Sequence, residues 1–190
     1  MQIINARWVV AIWIVLLGSW TSGCSSSDPT TQNTAAPAFF DLKQYFQAEI
    51  KRLEAAKLTI VKKVAVNDQT EEKKNLSPDF SKELDAFIQA DINRKDWLDP
   101  YQIDSTPQNG QLTALRYQAL DDRLRIRQLD IAFEKGEVQS IRILRSNSSM
   151  VVRSDQELIY QPSQGYRISS RQGTPLSNDK RLELEVRFQN

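Results

Sequence analysis

The sequence predicts an α+β fold in which two helices near the amino terminus pack on a curved, largely antiparallel β-sheet, a half-barrel or barrel-like arrangement. Three observations support this prediction. Apolar residues recur at intervals of three and four within two segments between Ala38 and Asn93. From Tyr101 onward, short β-branched segments alternate with turn-forming pairs, and short connections favour antiparallel neighbours. Residues 181–188 alternate charged and apolar side chains, which is typical of a strand with one buried face.

The first helix is predicted over Ala38–Ala56. Its apolar positions share one helical face and are Phe39, Leu42, Phe46, Ile50 and Leu53. A stripe of this kind usually packs on a neighbouring element, here the sheet. The alternatives are binding in the groove of a partner and lying on a membrane surface.

A strand is predicted next, over Leu58–Val66, because the segment is rich in β-branched residues. Its alternation is imperfect, which indicates either a β-bulge or burial on both faces. Asn67-Asp68 predicts a turn. Gln69–Lys74 is too polar for a core and is expected to form an edge strand or a loop.

The second helix has clear boundary signals. Ser77 is expected to cap it, with Pro78 at the first helical position and Asn93 at the stop. The apolar stripe between these signals consists of Phe80, Leu84, Phe87 and Ile88.

The remainder is predicted as strands and turns. Hairpin loops are expected at 108–111, 134–137 and 162–165, each with a glycine, and at Asp121-Asp122. Asn-Gly at 109–110 is the strongest of these signals, because both residues tolerate positive φ. The strands expected between the turns are 112–120, 123–133, 138–145, 150–152, 157–161, 166–171 and 181–188.

The composition excludes several classes of function. The 190 residues contain no histidine and one cysteine. Ser-His-Asp and Cys-His catalysis, ordinary zinc sites and an intramolecular disulfide are therefore ruled out. The numbers of basic and acidic side chains differ by one, which argues against a nucleic-acid partner. We expect a protein that is not an enzyme and that needs neither a cofactor nor a metal.

The amino-terminal residues indicate export. Trp8–Trp20 is almost wholly apolar but covers only 13 residues, roughly 20 Å as a helix. A bilayer core needs about 30 Å, so this run fits the hydrophobic region of a secretory signal better than a membrane span. Small residues follow it, and then the sole cysteine, Cys24.

Through Ser22, Gly23 and Cys24 the chain resembles a bacterial lipoprotein precursor, although Thr21 stands where that family usually has a large aliphatic residue. The resemblance implies a signal peptide over 1–23 and lipidation of Cys24, with membrane anchoring by acyl chains. Residues 24–37 are expected to form a flexible tether and 38–190 a single α+β domain. Because Ser25 is not an aspartate, the resemblance implies the outer membrane, facing the periplasm. The alternatives are an ordinary signal peptide cut near Gly23 and an uncleaved anchor.

Arginines form the first candidate site. Arg123, Arg125 and Arg127 alternate along one predicted strand, and its neighbour is expected to carry Arg142 and Arg145. They are interpreted either as an anion-binding face or as a solvated face. In the second case, which we favour, they pair across strands with Asp130, Glu183 or Glu185.

Two further groups are weaker candidates. Asp121 and Asp122 are interpreted as a carboxylate pair or cation ligands, or more simply as turn residues, which we favour. The tyrosines of the strand region either line an apolar pocket or complete the rim of the core; they are Tyr101, Tyr117, Tyr160 and Tyr166.

These observations favour a lipid-anchored envelope lipoprotein that acts as a non-enzymatic binding module for a hydrophobic or amphipathic ligand. The alternative is a structural or assembly protein that docks a partner protein at the outer membrane. A ligand carrier predicts a cavity of about 300–1,000 Å³ under the helices. An assembly protein predicts an exposed apolar patch or an unpaired strand edge. A third hypothesis, a carboxylate-based hydrolase, needs two acidic side chains facing each other across a cleft.

Overall fold

A computed structural model describes residues 39–67, 69–93, 100–149, 153–174 and 177–189, with the side chains of 177 and 178 excepted. The described elements are α1 (Leu42–Ala55), β1 (Thr59–Val66), β2 (Gln69–Leu76), α2 (Phe80–Glu83), α3 (Asp85–Ile88), β3 (Tyr101–Gln108), β4 (Gln111–Ala119), β5 (Ile126–Glu134), β6 (Glu137–Ser148), β7 (Arg153–Gln161), β8 (Gly165–Thr174) and β9 (Ser177–Gln189).

All nine of these strands belong to one antiparallel sheet in the order β2-β1-β9-β8-β7-β6-β5-β4-β3. The prediction of an antiparallel sheet is confirmed. The sheet is not closed, because β2 and β3 are its two edges, so a complete barrel is wrong. The chain makes hairpins from β3 to β9 and then places β9 beside β1.

The first helix begins later than predicted. Asp41 caps α1, because its Oδ1 accepts a hydrogen bond from the backbone N–H of Gln44 at 2.7 Å. Phe39 and Phe40 therefore precede the helix, although Phe39 is buried in the core. Because the helical spacing of apolar residues continues through Phe39 and Phe40, the spacing alone does not show where α1 begins.

The second helix is two short helices. Asp79, not Ser77, caps α2, and its carboxylate accepts from the N–H of Lys82 at 3.3 Å. A carboxylate suits the positive end of a helix better than a hydroxyl. The helix breaks at Leu84 (φ −100°, ψ 2°), and α3 ends at Ile88, well before Asn93.

The first hairpin agrees with the sequence interpretation. The pairing of β1 with β2 shifts register between Ile60 and Lys62, which confirms the bulge, and both Ile60 and Val61 are buried. β2 is an edge strand in which every residue up to Asn75 is exposed. Asp68, the second residue of the predicted turn, lies outside the described residues.

The later turns are confirmed at three positions. Asn109 and Gly110 have φ of 53° and 76°, and Lys135 and Gly136 have φ of 53° and 83°, as two-residue hairpin turns require. Gly165 follows the third loop, and a Cβ atom there would lie 1.9 Å from the carbonyl oxygen of Val186. Only glycine allows β8 and β9 to approach so closely.

Strand lengths differ from the prediction in two places. β5 begins at Ile126, so residues 120–125 form its connection to β4 and not part of the strand. β7 begins at Arg153 and includes the predicted segment 157–161, while 150–152 lie outside the described residues. Alternation in β9 is confirmed, since Val186 is buried and Leu184 and Phe188 pack against the core.

The core contains aromatic side chains from the helices and the sheet. The ring of Phe46 in α1 lies 5.0 Å from those of Phe87 in α3 and Tyr160 in β7. Tyr160 also contacts Phe188 of β9 at 6.3 Å. Phe46, Phe87 and Tyr160 have no solvent-accessible surface. Such edge-to-face and tilted packing fills the space beside the sheet rather than leaving a cavity.

Candidate functional site

The two faces of the sheet differ in chemistry. Side chains that share a face with Ile141, Ile143 and Leu158 enter the core, while the alternate positions are mostly polar. We call the second set the outer face. The first of the cavities described below lies against the strands of this face.

A single row of cross-strand partners on the outer face alternates in charge across the sheet. Reading from β3 to β2, the registered residues are Asp104, Arg116, Asp130, Arg142, Ile159, Arg167, Glu185, Lys63 and Glu72. Ile159 is the one uncharged member. Opposite charges at directly opposed positions stabilise a register, and like charges would oppose it. The row therefore favours this strand order.

The closest ion pairs within the row lie between β4 and β6. Asp130 accepts from Nε of Arg116 at 2.7 Å, and Nη1 of Arg142 lies 3.5 Å from its other oxygen. Arg142 also donates from Nε to Glu157 at 2.5 Å. The predicted pairing of Arg142 with Asp130 is thereby confirmed. Asp130 is thus compensated within the row, while Arg142 also pairs with Glu157, which lies outside the row.

A trough of about 460 Å³ lies beside the row, over strands β5 to β9. Its lining includes Arg142, Leu144, Glu157, Ser169, Arg171 and Glu183. Leu144 and the small Ser169 are opposite the two acids in the register, and aliphatic arginine stems add apolar surface. The trough thus combines an apolar floor with charges of both signs.

One pair at the end of the trough breaks the alternation of charge. Arg171 in β8 is registered directly opposite Arg181 in β9, and both line the trough. Arg171 lies 3.9 Å from Asp179, whereas Arg181 has no carboxylate within ion-pair distance among the described residues. Like charges in direct opposition are unfavourable. An anionic group in the trough would relieve this repulsion.

A second cavity, which we call the arginine pocket, has a volume of about 330 Å³. It is lined by Gln89, Arg125, Ile126, Arg145, Ser146, Asn147, Ser154 and Gln156. No acidic residue contributes to this lining. Burial, together with the charge of Arg125, lowers the pKa of Arg145, so the two guanidinium groups repel each other.

Buried Glu49 and half-buried Glu83 connect the helices to the sheet. Glu49 accepts from the hydroxyl of Tyr160 at 2.5 Å and from Nε of Arg52 at 2.8 Å. Glu83 accepts from the ammonium of Lys62 at 2.7 Å and from the hydroxyl of Tyr166. Burial raises the pKa of both tyrosines, followed by the hydrogen bond to the neighbouring glutamate. Each acid is bound to a cation and a phenol, an arrangement that suits a structural role.

The arginine prediction is corrected in part. Arg123 and Arg125 lie in the connection before β5, so they do not alternate on a strand with Arg127. Arg123 donates to Asp121 from Nη2 at 2.6 Å, and Arg127 lies 3.2 Å from Asp122. Whether Arg123 and Arg125 belong to the strand depends on where β5 begins. No residue in 120–125 marks that start in the sequence.

The predicted turn role of Asp121 is supported by its contacts. Its carboxylate accepts from the side chain of Arg123, and also from the Arg123 backbone N–H at 2.8 Å. These bonds, the side-chain bond first, lower the pKa of Asp121 to about 2. Within the described residues no three His, Cys, Asp or Glu side chains are grouped to hold a metal ion.

The four tyrosines of the strand region are buried side chains of the core. Tyr101 donates to the carbonyl of Ile126 at 2.9 Å, and the hydroxyl of Tyr117 accepts from the N–H of Phe40 at 3.0 Å. Tyr160 and Tyr166 bind Glu49 and Glu83, as described above. The interpretation of these tyrosines as core residues is confirmed, and Tyr166 also lines a cavity of about 500 Å³ between β8 and β9.

Cys24, the predicted lipidation site, lies outside the described residues, as do the signal peptide and the tether. In the part of the chain that is described, no helix has both the length and the apolarity to cross a bilayer. No protein-family model, curated protein or solved structure matches the chain.

Proposed function

We propose that this chain is a lipid-anchored, non-enzymatic binding module of the bacterial envelope, which holds an amphipathic ligand in the trough of its outer face. The anchor is the acylated Cys24, and the location is the periplasmic side of the outer membrane. The resemblance of residues 22–24 to lipoprotein precursors supports the anchor.

The trough is the observation that carries the ligand-binding proposal. A cavity under the helices, the place first expected for a ligand, is not found among the described residues, because Phe46, Phe87 and Tyr160 fill the space between helices and sheet. The trough, in contrast, offers about 460 Å³, an apolar floor and arginines that lack full compensation. This combination suits an apolar chain with an anionic group. In this proposal the helices cover the other face of a half-barrel sheet and leave the trough free.

A non-enzymatic role is supported by the chemistry of the chain. It has no histidine to act as a base near neutral pH. Buried Glu49 and half-buried Glu83 are each held by a cation and a tyrosine. Neither is presented to a second carboxylate across a cleft, as glycoside hydrolysis would need.

The trough is tested by mass spectrometry under native conditions on the protein extracted from membranes, which reports any small molecule retained. Leu144→Lys introduces a charge on the trough floor and should abolish retention. Gln118→Lys, on the same face in β4 and opposite residues that do not line the trough, is the control and should retain the molecule. Equal retention by both variants, or none by the unaltered protein, would contradict the proposal.

A second candidate function, docking of a partner protein at the outer membrane, is favoured by one observation. The large apolar residues that the described chain exposes lie on or beside β3 and β4: Ile103 at 44%, Leu112 at 40% and Leu120 at 66%. The free edges themselves are poor docking sites, since β2 carries Lys73 and Lys74 and β3 carries Pro107. Photo-cross-linking from position 103 should capture a single envelope protein if this alternative is correct.

A further inference from the structure

We propose that the arginine pocket, formed around Arg125 and Arg145, is a binding site for a phosphate group. The pocket shares Arg145, Ser146 and Gln156 with the lining of the trough, whereas Arg125 lines the pocket alone. The site does not depend on the ligand proposed for the trough. Its partner is recognised by charge and by the planar geometry of two guanidinium groups, which donate paired hydrogen bonds to tetrahedral oxyanions.

The pocket is built where the core face of the sheet changes from apolar to polar. In β6 the alternation Ile141, Ile143 and Arg145 places the guanidinium in line with two fully buried isoleucines. Its cross-strand partner Gln156 lies two residues from the buried Leu158, on the same face of β7. Arg145 is thus held at the boundary of the core rather than in open solvent.

A chain of hydrogen bonds fixes Arg145. Its Nε donates to Oε1 of Gln156, and Nε2 of Gln156 lies 3.3 Å from Oγ of the buried Ser170. This leaves the terminal NH₂ groups of Arg145 available. The backbone of Arg125 is fixed as well, because its carbonyl accepts from the N–H of Ser146 at 2.9 Å. The guanidinium of Arg145 is therefore pre-positioned, which reduces the ordering cost of binding, and the backbone that carries Arg125 is held beside it.

The charge of the pocket is uncompensated. Among the described residues, neither Arg125 nor Arg145 has a carboxylate within 4.0 Å, whereas Arg123 and Arg127 on either side of Arg125 each have one. The remaining polar lining comprises amides and hydroxyls, with Gln89, Asn147 and Ser154 among them. These groups add donors for further oxygens of the same anion.

A phosphate group has two sources in an envelope, a lipid headgroup and a soluble phosphate ester. Phe39, two residues after the proposed tether, packs its ring 5.7 Å from that of Tyr101. Tyr101 in turn bonds to Ile126, the neighbour of Arg125. The amino-terminal end of the described domain is therefore linked by these contacts to the pocket lining. The choice between the two sources rests on the anchor proposed above, which would surround the domain with lipid headgroups. This arrangement favours the lipid headgroup.

The test uses isothermal titration calorimetry on the full chain in a nonionic detergent, with three probes: inorganic phosphate, glycerol 3-phosphate and dihexanoyl phosphatidylglycerol. We expect saturable binding that weakens by at least about tenfold in Arg125→Gln and in Arg145→Gln. Arg123→Gln removes the same charge two residues away, outside the pocket lining, and should change the affinity less than about twofold. Arg181→Gln removes a charge from a residue that lines the trough but not the pocket, and should also leave this binding unchanged.

Two results of this titration would support the site, and two would overturn it. Tighter binding of the phospholipid than of glycerol 3-phosphate identifies the headgroup as the source, and equal binding identifies a soluble phosphate group; either result supports the site. Absence of saturable binding to all three probes overturns it, and so does equal weakening by Arg123→Gln. Arg125 is exposed and forms no side-chain hydrogen bond among the described residues, so Arg125→Gln gives a folded variant even if Arg145→Gln does not.

Discussion

Tyr160 donates a hydrogen bond from its hydroxyl to Oε2 of Glu49, a residue 111 positions earlier, and thereby ties β7 to α1 inside the core. The same carboxylate binds Arg52 through two further bonds, of 2.8 and 2.9 Å. The carbonyl of Pro162, just beyond β7, accepts from Arg52 at 2.8 Å. The helix and the strand are thus joined by a polar network whose members are all bonded.

Removal of one phenol should weaken this network. Tyr160→Phe keeps the ring packing but leaves Glu49 short of one donor, so the free energy of unfolding should fall by about 1–3 kcal/mol. Tyr45→Phe is the control, because among the described residues its hydroxyl has no hydrogen-bond partner, and it should lose less than about 0.5 kcal/mol. Urea denaturation measures both. Equal losses would show that the hydrogen bond to Glu49 contributes nothing.

The charge row on the outer face predicts a salt-sensitive effect. Asp130→Lys would place a positive charge between Arg116 and Arg142, and should destabilise the fold by about 1–2 kcal/mol at low salt. Reversing the partner as well, in Arg116→Glu with Asp130→Lys, should restore part of the loss. Thermal unfolding at low and high sodium chloride measures this, and an effect unchanged by salt would argue against a Coulombic origin.

Two glycines with positive φ should respond very differently to a methyl group. At Gly165 (φ 134°) the new Cβ would meet the Val186 carbonyl, whereas at Gly110 (φ 76°) no atom lies within 4 Å. Gly165→Ala should therefore cost about 2–4 kcal/mol of unfolding free energy, and Gly110→Ala about 1 kcal/mol, the backbone strain alone. Similar costs in chemical denaturation would mean that the strands β8 and β9 can separate to admit the methyl group.

The cap of α2 should make stability depend on pH in the acid range. Hydrogen bonds, first from the Ser81 hydroxyl and then from Lys82, lower the pKa of Asp79 from 3.8 to about 2. A lowered pKa in the folded state means that the contribution is complete above the unfolded value and is lost as pH falls toward 2. The advantage in melting temperature over Asp79→Asn should therefore shrink between about pH 4 and pH 2. An advantage that stays constant over this range would contradict the assignment.

Local signals in the sequence predicted much of the fold. The Asn109-Gly110 turn, the bulge in β1 and the alternation of β9 depend on neighbouring residues, and each is confirmed. The break at Leu84 was not predicted. It lies beside Glu83, which binds Lys62 and Tyr166, residues distant in sequence. Helical periodicity in the sequence does not reveal contacts between residues so far apart in the chain.

The candidate sites were harder to predict for the same reason. Arg142 and Asp130 were identified as partners because they lie on adjacent predicted strands. The complete charge row needs the register of all eight strand pairs. The arginine pocket needs the start of β5, which was placed three residues early, so Arg125 was assigned to a strand together with Arg127. The absence of a carboxylate beside Arg125 depends on how the chain folds, so the sequence does not reveal it.

The central claim is that a lipid on Cys24 anchors this domain to an envelope membrane. The most direct measurement is the intact mass, with amino-terminal peptide mapping, of the protein recovered from bacterial membranes. The account predicts a chain that begins at Cys24 and carries acyl groups, and a Cys24→Ala variant that leaves the membrane fraction. A recovered chain that retains residues 1–23, or that has an unmodified thiol at Cys24, would contradict it.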